Sequence, residues 1–407
     1  MADAVAKRAF DEYVMRMMHH RCHRLAVWGM LVLLTGVRVQ AYQPATWQEE
    51  KWTPVQLSLL WPYQLFHETY NVRGFRLGVL TTENRDVYGL DLGLINGSER
   101  FGGVQFCGYE AKTRDAAGVQ LALGFVRVDD YDAWGVQLAG LGISVRDFRG
   151  VQLAGVLNYN RHAKGVLFAL YETNADTLSG IQLAGLHGMA DELSGVQFAV
   201  GLAEVHRQPM AGVQLAGLMA EAPRLRGLQF ALGVDRIRSE TFRGAQIAGL
   251  AAFAVPARTL PEGASPADEP AVVETDGYGL QLATVVCENF SLSGAMLALG
   301  WNDTRNTMDG LQFAVVLNHA SEMDGLQFGV AFNHARGVDG IQLALFNSAD
   351  QISGLQFGAV NSADIMDGGL QFGLINYSRQ LKGVQIGLLN VGRNCYVPCL
   401  PLVNAKF

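Results

Sequence analysis

Few residues of this 407-residue chain have the types and the spacing of a chemical site. His319 and His334 occupy equivalent places of a repeat, and imidazole is a common metal ligand. They can form a two-histidine metal site only if successive repeats stack as coils, and not if the repeats are up-and-down strands. Two exposed turn histidines are the favoured interpretation. Asp129, Asp130 and Asp132 share one predicted turn, where carboxylates can hold Ca²⁺ weakly. A solvated acidic turn is favoured there as well.

Two further pairs of residues have the chemistry to interact. Cys395 and Cys399 lie close enough in sequence to bridge in an oxidising compartment, with two unpaired cysteines as the alternative. Arg76 and Asp91 replace glutamine in adjacent repeats, so they have the positions to form an ion pair inside the wall of the fold. No motif for a nucleophile, a phosphate-binding loop or a metalloprotease occurs. The sequence therefore predicts no enzyme, no cofactor and no metal site.

The elements that hold these residues form an internal repeat. Twenty segments from Gly74 to Gly383 read glycine, an apolar residue, usually glutamine, an apolar residue, and then usually alanine or glycine. They recur about every fifteen residues, a period that allows one strand and one turn per unit. The glutamines are predicted to form a structural row whose side chains hydrogen-bond to one another. The row consists of Gln105, Gln120, Gln137, Gln152, Gln182, Gln197, Gln214, Gln229, Gln246, Gln281, Gln312, Gln327, Gln342, Gln356, Gln371 and Gln385.

Within each repeat, apolar residues alternate with small or amide-bearing ones. In the segment 325–333, Leu326, Phe328, Val330 and Phe332 form one wholly apolar set. The residues between them are glycine, alanine, glutamine and asparagine. A period of two with these residue types predicts a β-strand rather than a helix.

Short polar quartets separate the predicted strands. They begin at Asn318, Asn347, Asn361 and Asn376. Asparagine, serine and aspartate supply local hydrogen bonds that stabilise chain reversal, so these quartets are predicted to be turns.

The first 41 residues are predicted to be a signal peptide. Basic residues precede an apolar run at 25–34, and Val39, Gln40 and Ala41 form a small-x-small cleavage site before Tyr42. The apolar run is too short to span a bilayer. We therefore expect an exported protein whose mature chain begins at Tyr42.

Residues 42–407 are predicted to form a single all-β repeat domain of about 22 short strands, with the repeats at 74–395. One interruption, at 255–276, contains four prolines and five acidic residues. This composition predicts a solvated insertion loop, dispensable for folding.

Composition restricts the class of partner. The net charge is −7 with acidic and basic residues intermingled, 49% of the residues are hydrophobic, and only 17% are charged. No basic stripe is available for nucleic acid. An outer-membrane lipid partner is expected, and the sequence does not identify a protein or glycan ligand.

Two architectures fit a strand-and-turn unit. In an up-and-down membrane β-barrel the apolar set faces lipid and the glycine, glutamine and alanine set lines the interior. In a β-solenoid each unit is one coil, with the apolar set in the core and the glutamines in an outer ladder. The near absence of charge on the second face favours the barrel, and the solenoid is the alternative. The barrel places His319 and His334 on opposite rims, about 25–35 Å apart, whereas the solenoid places them about 5 Å apart.

The segments GLQFGV, GIQLAL, GLQFGL and GVQIGLLN resemble the bacterial surface-repeat proteins built on a short G-[VIL]-Q-[ILF]-[AG] unit. The resemblance covers roughly residues 52–407. It implies an exported, envelope-associated protein and brings no catalytic residue. Arg76, Asp91, Leu167 and Met296 depart from the pattern by replacing the glutamine.

The function expected from these observations is that of a non-enzymatic protein of the outer membrane or cell surface. Its repeat wall is structural, and any specific role lies in its loops. The alternative is a surface-exposed β-solenoid that acts in binding or adhesion.

Overall fold

A computed structural model describes residues 51–238, 241–254, 258–259, 271–272 and 276–407. The predicted signal peptide, its cleavage site and most of the insertion loop lie outside the described residues. The described strands are β1 (Trp52–Leu60), β2 (Tyr63–Gln64), β3 (Asn71–Gly78), β4 (Thr81–Ala122), β5 (Phe125–Ala139), β6 (Gly142–Ala154), β7 (Leu157–Ala169), β8 (Glu172–Ala184), β9 (His187–Ala199), β10 (Leu202–Val205), β11 (Met210–Ala216), β12 (Met219–Ala222), β13 (Leu225–Ala231), β14 (Val234–Ile237), β15 (Thr241–Ala248), β16 (Ala251–Ala254), β17 (Arg258–Thr259), β18 (Ala271–Val272), β19 (Asp276–Ala283), β20 (Val286–Asn289), β21 (Ser291–Ala298), β22 (Trp301–Ala314), β23 (Leu317–Gly329), β24 (Phe332–Leu343), β25 (Phe346–Gly392) and β26 (Cys399–Lys406).

Each repeat is one coil of a β-solenoid. Equivalent segments of successive repeats pair in parallel and in register, so that Gly310 pairs with Gly325 and Gly325 with Gly340. The twenty repeat glycines form one column, which gives a solenoid of about nineteen turns. The prediction of an all-β repeat fold is confirmed, but the up-and-down barrel is wrong. Parallel pairing of neighbouring repeats requires the chain to come back to the starting end of the strand in every repeat. The solenoid, which was the alternative prediction, has this path.

Two-residue bends make this return possible. In the coil that starts at Gly310, one strand segment ends at Ala314, the chain bends at Val315 and Val316, and the next strand starts at Leu317. The quartets predicted to be turns therefore lie in strands, and that prediction is wrong at Asn318 and at its equivalents. Asparagine is a turn former by propensity, but in these coils tertiary pairing overrides the propensity.

The two sets of alternating residues face opposite ways. Gln327 and Asn333 are buried, whereas Phe328, Val330 and Phe332 are 40–50% exposed. The apolar set therefore lies outside and the amide set inside, as the barrel prediction placed them. The solenoid alternative, with its apolar core and outer glutamine ladder, had the faces inverted.

A thin core is sufficient because the coil is narrow. Ala320, Met323 and their equivalents in other coils fill the far side of the interior and are almost fully buried. Hydrogen-bonded glutamine and asparagine side chains close the rest of the interior and take the place of large apolar residues.

The last strand ends the parallel ladder. β26 pairs with β25 in antiparallel orientation, from Gly383 opposite Lys406 to Val391 opposite Cys399. Pro401 lies within this strand and lacks a backbone donor, and the neighbouring Leu402 has a φ of 66°. These features interrupt the free edge that another strand would otherwise extend.

The insertion leaves the register of the solenoid unchanged. Gly244 pairs with Gly279, and Ala254 pairs with Asn289, across the interruption. Within the insertion, β17 and β18 form a two-residue antiparallel pair.

We predict that replacing residues 257–274 with a short Gly/Ser turn will leave the melting temperature nearly unchanged. The flanking strands already pair in register, and the cost of closing a loop depends only weakly on its length. Calorimetry of the full-length variant measures this. A large loss of folded protein would instead show that the insertion packs against the coils.

Candidate functional site

The glutamine row is a buried hydrogen-bonded ladder, as predicted. Wherever the preceding coil also carries a glutamine, Nε2 donates to the Oε1 of that glutamine at 2.7–3.4 Å. Leu167 and Met296 divide the ladder into three runs. Before the first gap, the Oε1 of Gln152 accepts from Asn160 at 2.8 Å, and after it Gln182 donates to two backbone carbonyls. The row has a structural role, because its side-chain amides hydrogen-bond to one another inside the coils.

The first run begins at a buried ion pair. The guanidinium of Arg76 donates to both carboxylate oxygens of Asp91 at 2.6 and 2.7 Å, and both side chains are fully buried. Gln105 donates to the same carboxylate at 2.7 Å. The predicted pairing is confirmed, although it lies in a solenoid interior and not in a barrel wall.

Sequence reasoning missed a second ladder. Asn302, Asn318, Asn333, Asn347, Asn361, Asn376 and Asn390 are buried, and each of the first six donates from Nδ2 to the Oδ1 of the next at 2.7–3.1 Å. These donors point toward the C-terminal coil, whereas the glutamine donors point toward the N-terminal coil, so the two rows of amide dipoles oppose each other. The available signal was the recurrence of asparagine in step with glutamine.

The outside of the solenoid carries an apolar outer face. It consists of the residues one and three places after each repeat glycine, all of which are apolar across the twenty repeats, together with an apolar residue at each following bend. Its well-exposed members include Phe106, Leu123, Leu153, Leu170, Phe198, Val200, Leu218, Leu232, Leu250, Leu299, Phe328, Val330, Leu345, Phe357, Phe372, Leu374 and Leu388. A groove of about 260 Å³ between Leu121, Leu123, Leu138 and Leu153 lies on this face.

A column of different character lies beside the apolar outer face, at the residue just before each repeat glycine. Between Trp134 and Tyr278 the column holds Arg149, Lys164, Ser179, Ser194, Ala211, Arg226 and Arg243, and its two aromatic and four basic members are all exposed. We call these six the basic-aromatic column. Arg243 lies over the ring of Tyr278 at 5.6 Å from its centroid. The same column continues as Asp309, Asp324 and Asp339 in three successive coils.

The histidine pair is close together, so the predicted separation of 25–35 Å is wrong. The rings of His319 and His334 stack with their centroids 5.4 Å apart. His319 Nδ1 lies 2.7 Å from Asp303 Oδ1 in the preceding coil. Burial and the neighbouring His319 lower the pKa of His334. Among the described residues no group of three or more histidine, cysteine or acidic side chains has the arrangement of a metal site.

Of the remaining predicted candidates, the aspartates have structural partners and the two cysteines do not bridge. Asp129 and Asp130 lie in strand β5 rather than in a turn, and they face Lys112 at 3.7 Å and Arg114 at 3.3 Å. Cys395 and Cys399 are both free thiols.

Two cysteines inside the coils are inert by environment. Burial raises the pKa of the Cys287 thiol to about 12 and also raises that of Cys107. Thiolate chemistry is therefore suppressed at both positions.

One cluster of titratable groups lies where the start of β9 pairs with β10. Glu204 Oε2 lies 3.5 Å from His187 Nε2 and 3.3 Å from His206 Nε2. Burial opposes ionisation of Glu204, but its two histidine partners outweigh burial and lower its pKa. The hydrogen bond to Glu204 raises the pKa of His206. This arrangement is an ion-pair network.

Asp235 is a buried acid inside the coil. Its side chain is fully buried, and neither carboxyl oxygen has a hydrogen-bond partner of good geometry. Burial raises its pKa from 3.8 to about 8, and contacts with the backbone of Ala231 and Ile247 offset only part of this rise. The folded protein therefore keeps Asp235 protonated at neutral pH.

We predict that Asp235→Asn will raise the free energy of unfolding by about 3–5 kcal/mol at pH 8.5, because the amide cannot ionise and so avoids the cost of a charge inside the coil. Between pH 4 and 8 the folded state binds the proton that the unfolded state has released, so stability falls as pH rises. At pH 4 the variant and the parent should differ little. Urea unfolding at both pH values measures this. Asn302→Asp, in the same column, should acquire the same pH dependence, and a pH-independent effect of Asp235→Asn would contradict the assignment.

The part of the chain that the structure describes contains no helix of the length and apolar character needed to cross a bilayer. Comparison with family models, with characterised proteins and with solved structures gave no match.

Proposed function

We propose that this protein is a non-enzymatic β-solenoid that acts in binding or adhesion, and that it binds its partner with the apolar outer face. The observation that carries the proposal is the absence of any charged or polar residue at the two outward positions after every repeat glycine. A solvated strand surface carries lysine, glutamate and threonine at such positions. Here those residue types are excluded from one side of the solenoid alone.

The size of the face supports a binding role. About nineteen turns at a strand spacing of about 4.8 Å give the face a length of about 90 Å. The four residues that follow each repeat glycine span about 13 Å, so the area of the face is roughly 1,200 Å². The largest apolar patch on a typical soluble monomer is about 300–600 Å². A face of about twice that area is therefore expected to be covered by a partner.

The other features of the proposal come from the sequence. The leader pattern of the first 41 residues and the resemblance to bacterial surface-repeat proteins favour export to the cell surface. The internal glutamine and asparagine ladders leave the outer side chains as the groups available for recognition.

The test is retention of the full-length protein on an octyl-bearing resin. The triple variant Phe328→Glu, Phe357→Glu and Phe372→Glu places three charges in one exposed column of the face and should elute early. A matched variant, Gln208→Glu, Thr307→Glu and Gln351→Glu, adds the same charge at exposed positions elsewhere and should elute with the parent. Equal retention of all three proteins would refute the proposal.

A further inference from the structure

We infer that the partner of the apolar outer face is a lipid bilayer, on which the solenoid lies with its axis in the membrane plane. This inference rests on the proposed function and names the chemistry of the partner. Interfacial binding of this kind needs one continuous apolar surface that enters the acyl region, and polar groups at its border that stay at headgroup level. The described coils supply both.

The shape of the face favours lipid over a second copy of the chain. Apolar residues cover the sheet and also the bend that follows it, so the surface is convex. Leu123, Leu170, Leu218 and Leu232 lie at these bends and are 62–65% exposed. A flat mate related by two-fold symmetry would cover the sheet but leave the bend in water, whereas acyl chains close around a convex edge.

Charge complementarity is the second argument. The basic-aromatic column borders the face, and its Arg149, Lys164 and Arg226 make no ion pair with another described residue. Arginine and lysine extend their apolar stems along such a border and keep their charge at phosphate level, and tryptophan and tyrosine are enriched at the same depth. The column thus has the composition of a membrane interface belt.

The charge of the column just before the repeat glycines changes sign along the solenoid. Substitutions in its basic and acidic parts should therefore have opposite effects on binding to anionic lipid. In the coils of Asp309, Asp324 and Asp339 the same column is acidic. Anionic headgroups should therefore attract the coils from Trp134 to Tyr278 and repel those three.

The experiment is flotation of the full-length protein with vesicles of phosphatidylcholine, with and without phosphatidylglycerol. The parent should bind both, and more tightly with the anionic lipid. The three-phenylalanine variant should bind at least tenfold more weakly, and the matched surface variant should bind like the parent. Arg149→Gln, Lys164→Gln and Arg226→Gln together should reduce the preference for anionic lipid, and Asp309→Asn, Asp324→Asn and Asp339→Asn together should increase it.

The outcomes separate this inference from the proposed function. If the parent is retained on octyl resin through the face but binds no vesicle, the lipid inference is overturned and the proposed function stands. A dimer that the three-phenylalanine variant loses would then identify a second copy as the partner. If the face variant matches the parent in both assays, both proposals fail. Vesicle binding that the basic-residue variant does not alter would overturn the role of the basic-aromatic column.

Discussion

Gly150→Ala is expected to destabilise the protein by about 4 kcal/mol, or to prevent folding of the coils around it. Gly150 has a φ of +137°, and a Cβ placed on it would lie 2.0 Å from the carbonyl oxygen of Gly135 in the preceding coil. The clash is with backbone, so no side-chain rearrangement can relieve it. A backbone shift would disturb the parallel ladder on both sides.

Chemical unfolding of the full-length protein measures this effect, and Gly97→Ala is the control. At Gly97 an added Cβ would lie no closer than 3.4 Å to any atom, and no positive φ is required there. That variant should unfold within about 1 kcal/mol of the parent. Equal stability of the two alanine variants would contradict the close stacking of the glycine column.

Asp91→Gln is expected to cost about 3–5 kcal/mol, because it leaves the guanidinium of Arg76 buried without its charge partner. The double variant Arg76→Gln and Asp91→Gln should recover most of this loss. Both positions lie in the glutamine column between Gln56 and Gln105, so two glutamines would extend the ladder that already exists.

A double-mutant cycle by urea unfolding measures the coupling, which should exceed about 2 kcal/mol. The exposed pair Arg379 and Asp364, 3.5 Å apart, is the control, and Asp364→Asn should cost less than about 1 kcal/mol. Additive effects of the two buried substitutions would contradict the account of the pair.

The sequence predicted the class of fold, the ion pair of Arg76 and Asp91, and the glutamine ladder. These predictions succeeded because alternation and a fixed period place equivalent residues on one face and at one height, whichever way the strands connect. The direction of the chain between strands was not predictable in the same way. A strand-and-turn unit has the same residue pattern in both cases, whether the next strand is antiparallel or the chain returns and the next strand is parallel.

The errors have one physical origin. Asn318 and its equivalents read as turns by propensity, although they pair across coils once the chain bends at Val315 and Val316. With turns assigned to the asparagines, each repeat was predicted to hold one short strand and one turn, a unit that fits an up-and-down barrel as well as a solenoid. The near absence of charge on the glycine, glutamine and alanine face also favoured the barrel, because in a solenoid that face was expected to lie outside in water.

The most direct test of the solenoid with one coil per repeat is disulfide formation in the variant His319→Cys and His334→Cys, made with Cys395→Ser and Cys399→Ser. Ready oxidation to a disulfide is expected, since the two positions pair directly across adjacent parallel strands and the native rings lie 5.4 Å apart. A pair two coils apart, His319→Cys and Ser348→Cys, should remain reduced because its residues are about 10 Å apart. If the first pair does not oxidise, and spin labels at His319 and His334 report a separation of about 25–35 Å, the two residues lie on opposite rims and the solenoid account is contradicted.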